Sequence, residues 1–369
     1  MNNNKFRLPG LALALSALSV VGSQAHAAVE VYNSEGTSFT VDGYFNAFYI
    51  NRDDKVSDLT SSDVKMGFLP NYIGFNFSKE MGELTIGGRS SFWATINDSL
   101  GEGQGSATDT QIDVRQFYAT VDGDFGQVLI GKDFGLYSRS NIFLDEILMG
   151  FGSPGLAGGV SFGNIRAGYE YPTPSAQITY RTPDMGGFKL AVGIFEPANT
   201  TGPGSEQSSP RFEAEALYSA DLGGVTLTGW VNGRSQESES ATESVDSTAI
   251  GYGLKAAVAG LSLSASGYTS DGNNPVLIVN APAVEEESDG YLVQGSYTLG
   301  ANRLVLSYGE TDALDTGDFE SESTSVAVFH DVNSNFKLVA EYNMYEETNS
   351  ADAKTVDADT IALGAVVTF

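Results

Sequence analysis

The chain has 369 residues, no cysteine, two histidines and a formal net charge of −28 at pH 7. Without cysteine it can hold neither a disulfide nor a thiolate metal site, and so acidic a surface repels nucleic acid. His330 is the sole imidazole beyond the leader described next, which removes most hydrolase and zinc chemistry, so neither a cofactor nor a metal nor an enzyme is expected.

Lys5 and Arg7 precede an apolar run from Leu11 to Val21, and Ala25-His26-Ala27 follows as a small-x-small site. This order predicts a secretory signal peptide over residues 1–27, cleaved after Ala27. The run is about ten residues long, and a membrane-spanning helix needs roughly twenty. Residues 28–369 are then one exported domain. With 43 glycines, 17 tyrosines and 21 phenylalanines against 11 prolines, that domain reads as all-β.

Period-two alternation recurs along it. Leu84, Ile86, Gly88, Ser90, Phe92, Ala94 and Ile96 share one parity, and Thr85, Gly87, Arg89, Ser91, Trp93 and Thr95 share the other. Leu261, Leu263 and Ala265 alternate with Ser262, Ser264 and Ser266; Phe336, Leu338, Ala340 and Tyr342 alternate with Lys337, Glu341 and Asn343. At the end Ile361, Leu363, Ala365, Val367 and Phe369 share one face. Successive side chains of a strand point to opposite sides, so each segment has an apolar and a polar face. Sandwich strands run about five or six residues, whereas strands of about ten with apolar faces toward lipid belong to a transmembrane barrel.

Turn residues at 79–82, 122–125, 183–186, 221–224, 259–260, 299–301 and 332–335 predict tight connections. Between them lie polar stretches at 51–62, 97–111, 133–173, 196–210, 235–247, 271–289, 310–322 and 346–357, read as long loops. Short periplasmic turns alternating with long extracellular loops predict an antiparallel β-barrel of about 16 strands in the outer membrane of a Gram-negative cell. Tyr44, Phe48, Trp93, Tyr118, Tyr218, Tyr252, Tyr342 and Tyr345 lie near strand ends and read as interfacial girdles, or in part as lumen residues that stack sugars.

Three stretches resemble the general trimeric porin family of Gram-negative outer membranes. They are Asn71-Tyr72-Ile73-Gly74-Phe75 through Gly82, Val114-Arg115-Gln116-Phe117-Tyr118 through Lys132-Asp133, and Gln177-Ile178-Thr179-Tyr180-Arg181-Thr182-Pro183 with Gly186-Gly187-Phe188. The terminal Phe369 resembles the aromatic that the family's barrel-assembly machinery reads. The resemblance implies a homotrimer in the lipid bilayer beside lipopolysaccharide. Its third loop, about residues 133–173, folds into the lumen and narrows it. Asp145 and Glu146 become the acidic side of that constriction, and Arg89, Arg115 and Lys132, with Arg166, the basic side. Opposed charges across a narrow aqueous waist set up a transverse field that favours small hydrophilic solutes. Tyr72 stands where the family often has a further basic residue, and the loop lacks the family's Pro-Glu-Phe-Gly-Gly bend.

These features predict a passive diffusion channel. The loops starting at Ser235, Asp271, Glu310 and Glu346 are acidic, including Glu285-Glu286-Glu287, and predict modest cation preference. The alternatives are an oligosaccharide-specific pore and a plugged structural or enzymatic barrel; a phosphate pore would need more than 19 Lys plus Arg. Residues 126–133 (GQVLIGKD) come close to a phosphate-binding loop but end in Asp and read as strand. Residues 312–322 (DALDTGDFESE) lack EF-hand spacing, leaving loose divalent binding or a solvated acidic loop.

Overall fold

The computed structural model describes residues 28–97, 112–154, 160–199, 204–273, 286–313 and 319–369. The leader, nearly all of the 97–111 loop, residues 155–159 of the glycine tract and Glu285 lie outside the described residues.

Eighteen strands join in one antiparallel sheet: β1 (Val29–Ser34), β2 (Thr37–Asp54), β3 (Leu59–Lys65), β4 (Asn71–Met81), β5 (Leu84–Ala94), β6 (Ile112–Gly123), β7 (Gly126–Asp133), β8 (Ser175–Arg181), β9 (Phe188–Phe195), β10 (Arg211–Asp221), β11 (Thr226–Glu239), β12 (Ser244–Val258), β13 (Leu261–Asp271), β14 (Glu287–Leu299), β15 (Asn302–Ala313), β16 (Phe319–Asn333), β17 (Phe336–Asn349) and β18 (Lys354–Thr368). Among the described residues, one short helix, α1 (Arg139–Phe143), sits in the loop after β7.

The long strand β2 makes the seam. Its upper part, Tyr44–Asp54, pairs with β18, and its lower part, Thr37–Tyr44, pairs with β4. With β9 on β10, this closes β2 and β4–β18 into a 16-strand barrel. β1 folds back on the start of β2, and β3 folds over Phe48–Asp54, so both lie outside the ring. Closure leaves no edge to hydrogen-bond with lipid.

The alternation sorts the two faces as the sequence implies. On β13, Leu261 and Leu263 are exposed on the outside while Ser262 and Ser264 turn in. The tight turns fall where expected. Ala259 and Gly260 both take positive φ, 47° and 87°, the combination a two-residue hairpin of matching twist needs.

Two expectations change. The polar stretches at 235–247, 310–322 and 346–357 are mostly strand, because β11–β12, β15–β16 and β17–β18 run on beyond the apolar band. Backbone ladders need no apolar face once water is on both sides, so polarity there marks height rather than a loop. Likewise part of 51–62 is β2 and β3. The girdle reading divides by parity: Tyr218, Tyr252 and Tyr342 are exposed outward, whereas Tyr44, Phe48, Trp93 and Tyr345 are buried inside.

The interior holds a core that composition does not reveal. Residues 134–154 and 160–174, between β7 and β8, fold into the lumen. Leu136, Ile142, Ile147, Leu148, Phe151, Ile165 and Tyr169 of this loop are buried there. Most of them cluster with wall residues Phe48, Val305, Ala327, Phe329 and Val339.

Candidate functional site: the loop in the lumen

The loop is held by its backbone. Wall side chains accept its N–H groups at successive points. Glu213 on β10 takes Leu136 and Tyr137 (2.6 and 3.1 Å), and Asn232 on β11 takes Ser138 (2.9 Å). Glu215 takes Ser140 through both amide and hydroxyl. Gln294 on β14 takes Glu146 (2.9 Å), and Glu341 on β17 takes Phe151 and Gly152 (2.7 and 2.8 Å). A carboxylate accepting backbone N–H groups makes a charge-assisted bond, stronger than a neutral pair. These glutamates alternate with outward residues on their strands, so barrel register alone aims them at the loop.

Glu146 lies between two cations, Lys255 on β12 (2.6 Å) and Arg303 on β15 (2.7 Å). Burial pushes its carboxyl up, but these cations override that and hold it below its ordinary value. Asp145 is the hub of the loop. It accepts Tyr169 Oη (2.6 Å), Gln294 Nε2 (2.6 Å), Asn164 Nδ2 and the Ile147 N–H (2.9 Å each). Burial raises its carboxyl, and those four donors oppose the rise. Both acids are therefore turned to the wall, not across the waist.

The expected basic residues separate. Arg89 is buried against the wall, bidentate to Asp42 (2.7 and 3.0 Å) and bonded to Asn76 and Gln116. Arg115 follows a register shift in β5–β6 that turns it inward. Its guanidinium lies over Trp93 (5.0 Å), donates to Tyr171 Oη (2.8 Å) and pairs with Asp113 (2.7 Å). Lys132 pairs in register with Phe117, which is 61% exposed on the outside, so it shares the outward face. Arg166 belongs to the loop, ion-paired with Glu347 (2.9 Å) and stacked on Phe319. Of the basic side, only Arg115 keeps both a lumen position and solvent contact.

Residues that parity reasoning passed over complete the wall. Asp133 pairs with Arg139 of α1 and Arg181 of β8 (3.4 and 3.8 Å), and Arg211 pairs with Glu213 (2.7 Å). Solvent contact is uneven around the ring. Asp113, Arg115 and Arg181 side chains stay partly open along β6–β8, as do Lys255 on β12 and Arg303 on β15, whereas Ser307, Ser321, Ser323, Ser325 and Asn343 are sealed by the loop. Inside, Tyr44 stacks on Tyr72, Tyr72 packs at a tilt on Trp93 (4.6 Å) and Phe134 meets Trp93 and Tyr171 edge-on.

At the seam, the Phe369 ring lies on Gly43, where a Cβ would come within 2.5 Å of it, and stacks on Phe45 (6.0 Å). Its backbone exchanges both hydrogen bonds with Gly43.

A family model for Gram-negative porins matches residues 12–350. The chain belongs to the Gram-negative porin family. It is 27% identical to "Porin-like protein L" of Photobacterium profundum over 97% of this chain and 98% of that one. It is 30% identical to a chitoporin of Vibrio furnissii over 49% of this chain and 45% of that one. In structure it is similar to an anion-selective porin from Comamonas acidovorans, with TM-score 0.67 and 16% identity, covering 90% of this chain and 100% of that one. It is also similar to a trimer form of OmpT from Vibrio cholerae, with TM-score 0.57 and 15% identity, covering 91% and 100%. This porin is an outer-membrane β-barrel channel rather than an enzyme.

Proposed function

We propose that this porin is a passive diffusion channel for small hydrophilic solutes and ions, weakly selective for cations. The observation that carries it is the lumen loop itself. Wall carboxylates and Gln294 hold it, and it leaves the inward charges of Asp113, Arg115, Arg181, Lys255 and Arg303 partly open to solvent. In this reading Arg115 is the basic member of the waist, and Arg89 supports the wall behind it. Asp145 and Glu146 act through the loop's position instead of facing solutes. Cation preference draws on the extracellular strand ends, where Asp271, Asp289, Glu310, Glu320, Glu322 and Glu346 outnumber Lys55 and Lys354. A reversal potential under a salt gradient tests it: a cation-favouring sign supports the reading, an anion-favouring sign refutes it.

The likeness to a chitoporin favours an oligosaccharide path as the second reading. The buried rings of Tyr44, Tyr72, Trp93 and Phe134 pack on one another and offer little free face for a sugar, which favours the general channel.

A homotrimer suits the low side of the barrel. Strands β7, β8 and β9 have 8, 7 and 8 residues, against 15 each for β12, β16 and β18. The outward face there, with the neighbouring β6, is apolar at Phe117, Ile130 and Ile178, yet includes Lys132. A lysine facing the middle of a bilayer costs about 2–4 kcal/mol, so a neighbouring protomer is the better cover. Lipopolysaccharide phosphates would meet the outward carboxylates above Tyr291 and Tyr308, whose hydroxyls both donate to Glu310, through bridging divalent cations. Phe369 is the residue offered to the barrel-assembly machinery.

A further inference from the structure

The chain that pairs with β2 steps off the wall. β3 and β4 lie one above the other along the edge of β2 that β18 leaves free. Between the pairs Phe48–Lys65 and Tyr44–Tyr72, three residues of β2 face six of the partner chain. The excess falls in Met66-Gly67-Phe68-Leu69-Pro70, an apolar run without alternation whose proline has no N–H to give to a ladder. Met66 and Phe68 are buried in the lumen. Asn46 on β2 fixes the step: its side chain accepts the Gly67 N–H and donates to Leu69 O (2.8 Å) and Asn71 Oδ1 (3.0 Å). At the tip, the Phe68 N–H donates to Gly150 O of the lumen loop (2.9 Å).

The step meets a short stem within that loop. The Ser153 N–H donates to Gly163 O (2.9 Å) and the Phe162 N–H to Ser153 O (3.1 Å), so the limbs 150–153 and 161–163 run together. Gly163 has a φ of +60°, and a Cβ there would overlap the Phe68 ring. The ring therefore lies directly on stem backbone. Glu341 of β17 holds the same stem at Phe151 and Gly152, and Phe48 of β2 packs on Phe151 at 6.0 Å. Close-packed contact couples two segments only while both keep their places, since dispersion falls away within about an ångström. We propose that Phe68 is a positioning residue of the channel: the step at 66–70 latches the stem beside β2 and so fixes how far the lumen loop reaches across the pore. The inference rests on the diffusion-channel reading and adds a residue to it. Its contact is apolar, so unlike the ion pairs of Glu146 it holds across pH and salt.

Hydrogen exchange of the mature protein in detergent, read by mass spectrometry, and single-channel recording test it together. In Phe68→Ala the amides of the stem should exchange about tenfold faster, the least that so large a lost contact implies. Those of β17 and β18 should keep their protection, and the open-channel current should grow noisier. Phe68→Leu should fall in between. Gly163→Ala pushes on the ring and should loosen the stem by itself, with far less effect in a Phe68→Ala background. Unchanged stem exchange in folded Phe68→Ala, or an equal effect of Gly163→Ala in both backgrounds, overturns the latch. Exchange that quickens as much in β17 and β18 makes Phe68 a wall residue only and overturns it too. Faster stem exchange beneath an unchanged current overturns its role in the pore. If Phe68→Ala does not close into a barrel, Phe68→Leu and Gly163→Ala carry the same comparison. Exchange reads the latch whether or not the protein conducts, so a silent wild type refutes the channel reading separately.

Discussion

At the residue scale, the loop's position depends on a few buried acceptors. Glu341 holds Phe151 N, Gly152 N and the Ser325 hydroxyl. Glu341→Ala strands those donors, each at about 1–3 kcal/mol. The loop should then fluctuate, raising open-channel current noise and lowering the thermal unfolding temperature. A quiet, equally stable Glu341→Ala channel would remove the clamp from the account. Glu146 gives a pH dependence with a definite sign. Its carboxyl is held below the ordinary value, so its ion pairs with Lys255 and Arg303 stabilise the docked loop above that ordinary value. The stabilisation is lost only as pH falls through the depressed value. Acid-induced noise should therefore begin below the usual glutamate range, and Glu146→Gln should be noisy at neutral pH with that transition gone. Asp145 works in the opposite sense: its raised carboxyl favours the docked loop in acid and opposes it as pH rises. The sequence placed Asp145 and Glu146 on the loop correctly but could not say which way they face. For Glu146 that depends on Lys255 and Arg303, and for Asp145 on Gln294, all more than a hundred residues away in the chain. Lys132 misled because a nearby charge counts for the lumen only at the right parity, and the register on Phe117 puts it outside.

At the scale of strands, alternation made the barrel legible, since period two with long segments admits few other solutions. β13 tests it with neighbouring residues. Leu263→Arg faces lipid and should cost about 2–4 kcal/mol near mid-bilayer, whereas Ser264→Arg faces water and should cost far less. Urea titration of both variants folded into vesicles measures the difference, and equal losses would contradict the assignment of faces. Strand ends were less legible. Above the membrane both faces are polar, so Gln236–Glu239 and Glu320–Glu322 look like loop in the sequence although they continue the ladder. The seam depends on one close approach: Gly43→Val would drive a side chain into the Phe369 ring and should block closure, read as loss of the compact heat-modifiable band on a gel.

At the scale of the molecule, the uneven wall and the lumen loop belong together. Chain that could have lengthened β7 and β8 turns inward instead, leaving a low side with an apolar outward face broken by Lys132. Lys132→Glu should weaken association there, seen as a shift from trimer to monomer by native mass spectrometry in mild detergent. The central claim is an open, charged, water-filled path through a closed barrel, and conductance tests it most directly. Single-channel recording of the mature protein should give ohmic openings in multiples of three with a cation-favouring reversal potential. A correctly folded barrel that stays silent, or one that prefers anions, would contradict the account.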